Sequence, residues 1–156
     1  GQLYRCAYAR PWVLERIMDQ NGIGEILCLL KDEAGDDRVP AEQKVAAEKR
    51  AVFTRVPMPG NGCADFDSLD RAADAIETAR LQKRPILVHC SAGVQRTNAS
   101  IMAWRIRYCG WTCEQALEEA QRHWLDRQDN PTLFEHIRQY AQQAATRPAS
   151  TRTSGG

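Results

Sequence analysis

The strongest constraint on how this chain folds lies in residues 86–97, Ile-Leu-Val-His-Cys-Ser-Ala-Gly-Val-Gln-Arg-Thr. An apolar run ends at His89 and Cys90, five residues follow, and a pattern with helical spacing begins near Arg96. This order predicts a strand, a tight loop and a helix. In such a loop the unpaired backbone N–H groups and the helix N-terminus point into one small concavity, which favours negative charge. The stretch therefore predicts an anion site at the end of a strand.

Two side chains give the predicted loop its chemistry. Cys90 stands at its start, where the loop amides and the charge of Arg96 would stabilise a thiolate, the nucleophilic form of cysteine. Arg96 carries a planar fork of donors that can hold two oxygens of one phosphate group. A buried cysteine that ends a core strand is the simpler interpretation of Cys90 alone, because free cysteines are commonly buried. The combination favours a phosphate site with a nucleophile at its base.

The pattern His89-Cys90-x-x-Gly93-x-x-Arg96-Thr97 resembles the HCxxGxxR[ST] loop of the cysteine-dependent protein phosphatases. The short chain is similar to the compact dual-specificity type. This resemblance implies a double displacement that uses no metal and no cofactor. Cys90 would attack phosphorus, an acid would protonate the leaving oxygen, and water would hydrolyse the cysteinyl-phosphate.

The resemblance also implies roles for the residues around the nucleophile. Phosphate would be bound by Arg96 and by the loop residues Ser91, Ala92, Gly93, Val94 and Gln95. Thr97 would stabilise the thiolate, and His89 would order the loop through hydrogen bonds without acting as a base. Gly93 would supply the backbone freedom that a tight loop needs.

The general acid is the least defined part of the pattern. Related phosphatases usually place an aspartate on the loop after the preceding strand, where this chain has Pro59-Gly60-Asn61. We expect Asp65, on the same loop, to serve, although a helix cap is an equally good interpretation of that residue. Asp67 comes next and suits a cap better. A third option is that Asp126 or Asp129 reaches over the site. A fourth is that no protein side chain acts as the acid, which would restrict the enzyme to good leaving groups.

The remaining sequence alternates strand and helix patterns. Short apolar or mixed runs predict strands at 3–7, 25–30, 51–56 and 86–90, and helical spacing predicts helices at 11–20, 41–50, 67–82 and 96–108 and two more beginning near 112 and 131. The helix at 41–50 is expected at the surface because it has little apolar face. We predict an α/β fold with a mostly parallel central sheet flanked by helices, similar to the dual-specificity phosphatases, with Cys90 at the carboxyl end of a strand.

Composition and charge limit the remaining possibilities. The net charge of +1 gives no electrostatic basis for binding nucleic acid. The six cysteines lack CxxC or zinc-ligand spacing, and His123 and His136 lack spaced partners, so we expect no metal site, reduced thiols and a cytoplasmic location. No apolar run approaches the roughly 20 residues that span a bilayer, so we expect no integral membrane segment. We predict one domain over 1–143 and a disordered tail over 144–156.

Two further cysteines and three tryptophans have more than one interpretation. Core packing is preferred for Cys28, with a disulfide to the nucleophile, as in some relatives, as the alternative. Cys63 is either a similar resolving thiol or an incidental one. Trp104, Trp111 and Trp124 are expected to be core or surface anchors rather than a ligand platform.

The leading functional prediction is a phosphomonoester hydrolase that acts on phosphotyrosine, phosphothreonine or phosphoserine proteins. A phosphoinositide or inositol phosphate phosphatase, acting on a phosphorylated small molecule, is the second. Such enzymes often carry lysines inside the loop, and the residues at 91–95 are uncharged. A phosphate-binding pseudophosphatase is favoured by Gly60 and opposed by the intact Cys90 and Arg96. A rhodanese-like sulfur transferase fits His89 and Thr97 less well.

Overall fold

The computed structural model describes residues 2–146 of the chain. The elements run β1 (Leu3–Cys6), α1 (Pro11–Asn21), β2 (Glu25–Cys28), α2 (Arg38–Glu48), β3 (Val52–Arg55), α3 (Phe66–Leu81), β4 (Ile86–His89), α4 (Gln95–Tyr108), α5 (Cys113–Arg122) and α6 (Pro131–Thr146). The four strands form one parallel sheet in the order β1-β4-β2-β3. The predicted α/β fold with a parallel sheet is confirmed.

The sheet places β4 and β2 at its centre, and every residue of both strands is buried. Strand β1 lies at one edge and β3 at the other. In this register His89 is flanked by Cys6 of β1 and by Cys28 of β2. Because parallel strands bring their carboxyl ends to the same edge, the residues after β1, β2 and β4 meet around Cys90.

Helices cover both faces of the sheet. On one face, α3, α4, α5 and α6 pack with Leu27 and Val88, and on the other, α1 and α2 pack with Ile26 and Leu87. Neighbouring residues of one strand thus enter opposite layers, as the pleat requires. Within the described part of the chain, no helix combines the length and the apolar character that crossing a bilayer demands.

Several helix boundaries follow the local signals in the sequence. Pro11 opens α1, and Gly110, with φ of 70°, follows the end of α4. At the start of α5, Thr112 Oγ1 accepts from the Gln115 backbone N–H at 3.2 Å, and the Gln115 side chain accepts from the Thr112 N–H at 2.9 Å. This is the predicted capping box, which satisfies two amides that no helical carbonyl reaches.

Helix α2 lies on the surface, as predicted, but it buries one stripe of residues that the sequence did not predict. It begins at Arg38 and buries Glu42, Val45 and Ala46. These residues are spaced i, i+3 and i+4, so they form one narrow stripe that faces the sheet layer. This stripe was not predicted because a glutamate and a small alanine do not form a recognisable apolar face in the sequence.

The C-terminal end of the chain also differs in part from the prediction. Helix α6 continues through Thr146, so residues 144–146, assigned to the tail by the sequence, belong to this helix. The rest of the predicted tail, residues 147–156, lies outside the described residues.

Candidate active site

The candidate site is the loop between β4 and α4, which begins at Cys90. The Cys90 side chain is buried, and its residue is 1% exposed. Its Sγ accepts hydrogen bonds from the Gly93 backbone N–H and from the Thr97 hydroxyl, both at 3.2 Å. The structure thus brings together the predicted nucleophile, the loop glycine and the threonine on the first turn of α4.

These contacts act on the pKa of Cys90 in opposite directions. Burial raises the pKa of the thiol, but hydrogen bonds from Thr97 and Gly93 and the charge of Arg96 more than offset it and hold the pKa below its ordinary value. The donors stabilise only the negatively charged form of the sulfur. The geometry therefore favours a thiolate at Cys90, the form that attacks electrophiles.

Arg96 lies on the first turn of α4 and is 8% exposed. Its buried Nε has no hydrogen-bond partner among residues 2–146. A buried guanidinium N–H without an acceptor is costly, and an oxyanion would satisfy it. This orphaned donor beside a thiolate is the arrangement expected for binding a phosphate group.

The end of β1 packs directly against the loop, a contact that the sequence analysis did not predict. Gly93 has φ of 74°, and a Cβ at this position would lie 2.6 Å from the carbonyl carbon and oxygen of Cys6 and 2.7 Å from the nitrogen of Ala7. Two residues on, the Tyr8 N–H donates to the Ser91 carbonyl at 3.0 Å. Gly93 is therefore required both for its backbone conformation and for the close approach of β1.

His89 lies beneath the loop and is paired with a carboxylate from α2. Its Nδ1 lies 3.3 Å from the Cys90 carbonyl oxygen, and its Nε2 lies 3.1 Å from Oε1 of Glu42. Both residues are 1% exposed. Burial lowers the pKa of His89, but hydrogen bonding to Cys28 and Glu42 and the charge of Glu42 outweigh this and raise the pKa to about 10. A buried imidazolium thus contacts the backbone of the nucleophile.

Cys28, Glu42 and His89 form the one group among the described residues whose donor atoms fit a metal by type, with all three within 4.8 Å of one another. The guanidinium of Arg55 donates to Cys28 Sγ at 3.2 Å. A cation placed here would meet the positive charge of Arg55 and would have to displace the proton that Glu42 favours on His89. The arrangement is that of a buried ion pair between His89 and Glu42 beneath the loop.

Asp65 is the N-cap of α3. Its carboxylate accepts from the Ser68 backbone N–H at 2.7 Å and from the Ser68 hydroxyl at 3.2 Å. The backbone hydrogen bond from Ser68 is the main reason that the pKa of Asp65 lies below its usual value. The structure therefore shows the capping interpretation of Asp65, with Asp67 on the first helical turn. Whether Asp65 also donates a proton during catalysis stays a prediction.

The loop that carries Asp65 does approach the phosphate loop. A Cβ at Gly62, where φ is 80°, would lie 2.9 Å from the Gln95 carbonyl oxygen and 3.1 Å from the Leu133 side chain. The Ala64 carbonyl lies 2.6 Å from Nε2 of His136 on α6. Residues 58–65 are thus held between the start of α4 and the start of α6, beside the site.

The other predicted acid, Asp126, orders a turn between α5 and α6. Its Oδ1 accepts from the backbone N–H groups of Gln128 and Asp129, at 2.7 and 3.2 Å. Asp126 therefore fixes the loop that leads into α6, and a proton-donating role for it or for Asp129 stays a prediction.

A parallel α/β sheet that ends in a buried cysteine, enclosed by loop amides and followed by a buried arginine, defines the class of cysteine-dependent phosphatases. The sequence agrees with this assignment. Residues 16–143 match the family described as dual specificity phosphatase, catalytic domain, and the chain belongs to this family. The predicted family resemblance is confirmed.

Known proteins similar to this chain include a curated relative and two solved structures. The chain is 37% identical over 65 residues to protein phosphatase Slingshot homolog 3 of Rattus norvegicus, which is 42% of this chain and 10% of that protein. The chain thus covers about a tenth of the length of this relative.

The two structures share the fold. P. aeruginosa TpbA in complex with pTyr is 18% identical, with a TM-score of 0.70 over 94% of this chain and 87% of that chain. PTPMT1 in complex with PI(5)P is 15% identical, with a TM-score of 0.73 over 92% of each chain.

Proposed function

We propose that this chain hydrolyses phosphate monoesters on proteins through a cysteinyl-phosphate intermediate at Cys90. The observation that carries this proposal is the pair of donors on Cys90 Sγ, Gly93 N–H and Thr97 O–H, next to the buried and unpartnered Nε of Arg96. Together they supply a nucleophile and a site for the negative charge of the phosphoryl group.

In the first step the Cys90 thiolate attacks phosphorus. A P–S bond forms, the P–O bond to the leaving group breaks, and its electron pair stays on the leaving oxygen, which takes up a proton. In the second step water attacks phosphorus, the P–S bond breaks, and Cys90 leaves as a thiolate that accepts the Thr97 hydroxyl hydrogen bond. Arg96 and the loop amides bind the phosphoryl oxygens in both steps.

The loop composition supports a protein substrate. Ser91 and Ala92 are exposed, and no residue between Cys90 and Arg96 carries a charge. A substrate with several phosphate groups would gain more from additional cations at these positions. The alternative is a phosphoinositide, the class of ligand named for the PTPMT1 complex. We also infer a reducing compartment, such as the cytoplasm, because all six cysteines are free thiols.

Hydrolysis of an aryl phosphate tests the chemistry. The wild-type protein should hydrolyse p-nitrophenyl phosphate, and Cys90→Ser should lower kcat by about 10³-fold or more because a serine hydroxyl is a far weaker nucleophile. Cys113→Ser, at the start of α5, is the matched control and should keep the wild-type rate. An inactive wild-type protein, or an active Cys90→Ser variant, would refute the proposed function.

Substrate preference is measured next. Wild-type kcat/KM is compared for phosphotyrosine, phosphothreonine and phosphoserine peptides and for a short-chain phosphatidylinositol phosphate. A higher value for the lipid than for every peptide would replace the protein substrate with the phosphoinositide alternative.

A further inference from the structure

Trp124 occupies an unusual position at the end of α5. The helix ends at Arg122, His123 is the C-cap, and Trp124 follows with φ of 68°. The Leu125 N–H then donates to the Ala120 carbonyl at 3.1 Å. This hydrogen bond is typical of a helix end that passes through the left-handed conformation, a position usually taken by glycine.

Four other described helices end this way, two on glycine and two on a basic residue that carries a Cβ in the same strained conformation. Gly22 and Gly110 have positive φ after α1 and α4, and the polar Arg50 and Lys83 do so after α2 and α3. A bulky aromatic residue is strained in this conformation. Packing normally compensates for such strain, but Trp124 is 86% exposed, more than the next large apolar residue, Trp12, at 61%. The fold therefore gains little from this indole ring.

The backbone before Trp124 is tied to the helix that follows the phosphate loop. Asn98, on the first turn of α4, donates through Nδ2 to the His123 carbonyl at 3.0 Å. The Asn98 backbone N–H donates to the carbonyl of Val94, within the loop, at 2.9 Å. One residue thus links the phosphate loop to the residue before Trp124.

The backbone after Trp124 is also fixed. Leu125 is fully buried, and the next residue, Asp126, orders the turn described above. The Asn130 side chain closes this turn by donating to the Asp126 carbonyl at 2.8 Å. The exposed indole ring is therefore carried by an ordered segment that is hydrogen-bonded to the first turn of α4, the turn that also holds Arg96. Little further ordering would be needed for it to bind a partner.

We propose that Trp124 binds an apolar or aromatic side chain that flanks the phosphorylated residue of a peptide substrate. This inference rests on the proposed function. An indole supplies a large, rigid contact surface for such a side chain. A membrane surface is the less favoured partner because residues 122–129 expose two basic side chains, Arg122 and Arg127, and two acidic ones, Asp126 and Asp129, so they form no basic cluster that would attract anionic lipid.

The test compares Trp124→Gly with wild type on two substrates, p-nitrophenyl phosphate and a phosphotyrosine peptide with leucine or phenylalanine beside the phosphotyrosine. For the peptide, kcat/KM should fall by roughly tenfold, and for p-nitrophenyl phosphate it should stay unchanged, because the small ester has no flanking side chain for Trp124 to bind. Trp124→Phe should retain most of the activity on the peptide. Trp12→Ala, on α1, is the matched control for loss of an exposed indole and should change neither value.

Thermal unfolding separates this role from a structural one. Glycine relieves the strain at a left-handed position, so the Tm of Trp124→Gly should equal or exceed that of wild type. A lower Tm with equal losses on both substrates would overturn the inference, as would unchanged kcat/KM for the peptide. A loss confined to a short-chain phosphatidylinositol phosphate would assign Trp124 to lipid instead. If p-nitrophenyl phosphate is not hydrolysed at all, the proposed function itself fails.

Discussion

At the residue scale, the pKa of the Cys90 thiol is kept low by a few hydrogen-bond donors that offset the effect of burial. The Thr97 hydroxyl donates to the sulfur at 3.2 Å from the first turn of α4. Each donor stabilises the charged form and so lowers the pKa of the thiol. Removing a donor without changing the shape of the site should therefore raise the pKa of Cys90.

Thr97→Val tests this effect. Activity rises with pH as Cys90 loses its proton, so a higher pKa should move the acidic limb of kcat/KM against pH towards higher pH. The second step should also slow, because the leaving thiolate loses a hydrogen bond. Thr97→Ser keeps the hydroxyl and should restore the wild-type profile. Identical acidic limbs for Thr97→Val and wild type would show that the hydroxyl does not act on the nucleophile.

Gly93→Ala tests the contact between the loop and β1. The added methyl group would lie 2.6 Å from backbone atoms of Cys6, and the φ of 74° is unfavourable for alanine. We expect a loss of about 1–3 kcal/mol in unfolding free energy and a large loss of kcat. Gly60→Ala is the matched control because a Cβ there meets nothing within 4 Å. Equal stability for both variants in urea unfolding would contradict the contact.

Only part of the site could be predicted from the sequence. Cys90, Arg96 and Thr97 were identified because their spacing is local and each has a chemistry that the other two support. Glu42 was not, because its partner His89 is distant in sequence and comes close only through the packing of α2 on the sheet. The close approach of Cys6 to Gly93 depends on strand order, which local patterns do not specify.

At the element scale, the sequence could not decide whether Asp65, at the start of α3, is a helix cap or the general acid. Asp65 caps the helix, and its loop lies beside the phosphate loop. Local signals predicted most element boundaries, including the capping box of α5, because caps and breaking residues act within a few positions. The start of α2 was missed because its N-cap residue, Asp37, makes no side-chain capping hydrogen bond, and Asp36 instead accepts from the Arg38 backbone N–H at 3.0 Å.

Substitutions at Asp65 separate capping from catalysis. Asparagine is as good a cap as aspartate, so Asp65→Asn should keep its Tm, whereas Asp65→Ala should lose about 1 kcal/mol of stability. If Asp65 is the general acid, Asp65→Asn should slow hydrolysis of a phosphoserine peptide by about 10²-fold and that of p-nitrophenyl phosphate far less, because nitrophenolate leaves without a proton. Equal effects on both substrates would remove Asp65 from that role.

At the scale of the whole molecule, the buried pair of His89 and Glu42 links the stability of the fold to pH. The pKa of His89 is raised from 6.5 to about 10 in the folded protein. Between these values the folded state holds a proton that the unfolded chain releases, so the stabilisation is complete below pH 6.5 and is lost as pH rises towards 10.

Urea unfolding across this pH range measures the effect. The free energy of unfolding of wild type should fall with pH by at most about 1.4 kcal/mol per pH unit from this group. Glu42→Gln removes the charge that holds the proton and should flatten this dependence. Titration of the His89 imidazole by NMR provides the direct readout, and an ordinary pKa there would refute the pairing.

The strand order β1-β4-β2-β3 determines at which stage of folding Cys90 becomes reactive. Strand β4 lies between β1 and β2, and residues 3–6 pair with residues 86–89. This pairing closes a loop of most of the domain, so it belongs among the late and slow events of folding. Gly93 can pack on Cys6, and the donors can converge on Cys90, only when that loop has closed. A nascent or misfolded chain therefore carries an ordinary cysteine, and the reactive thiol exists only in the completed fold.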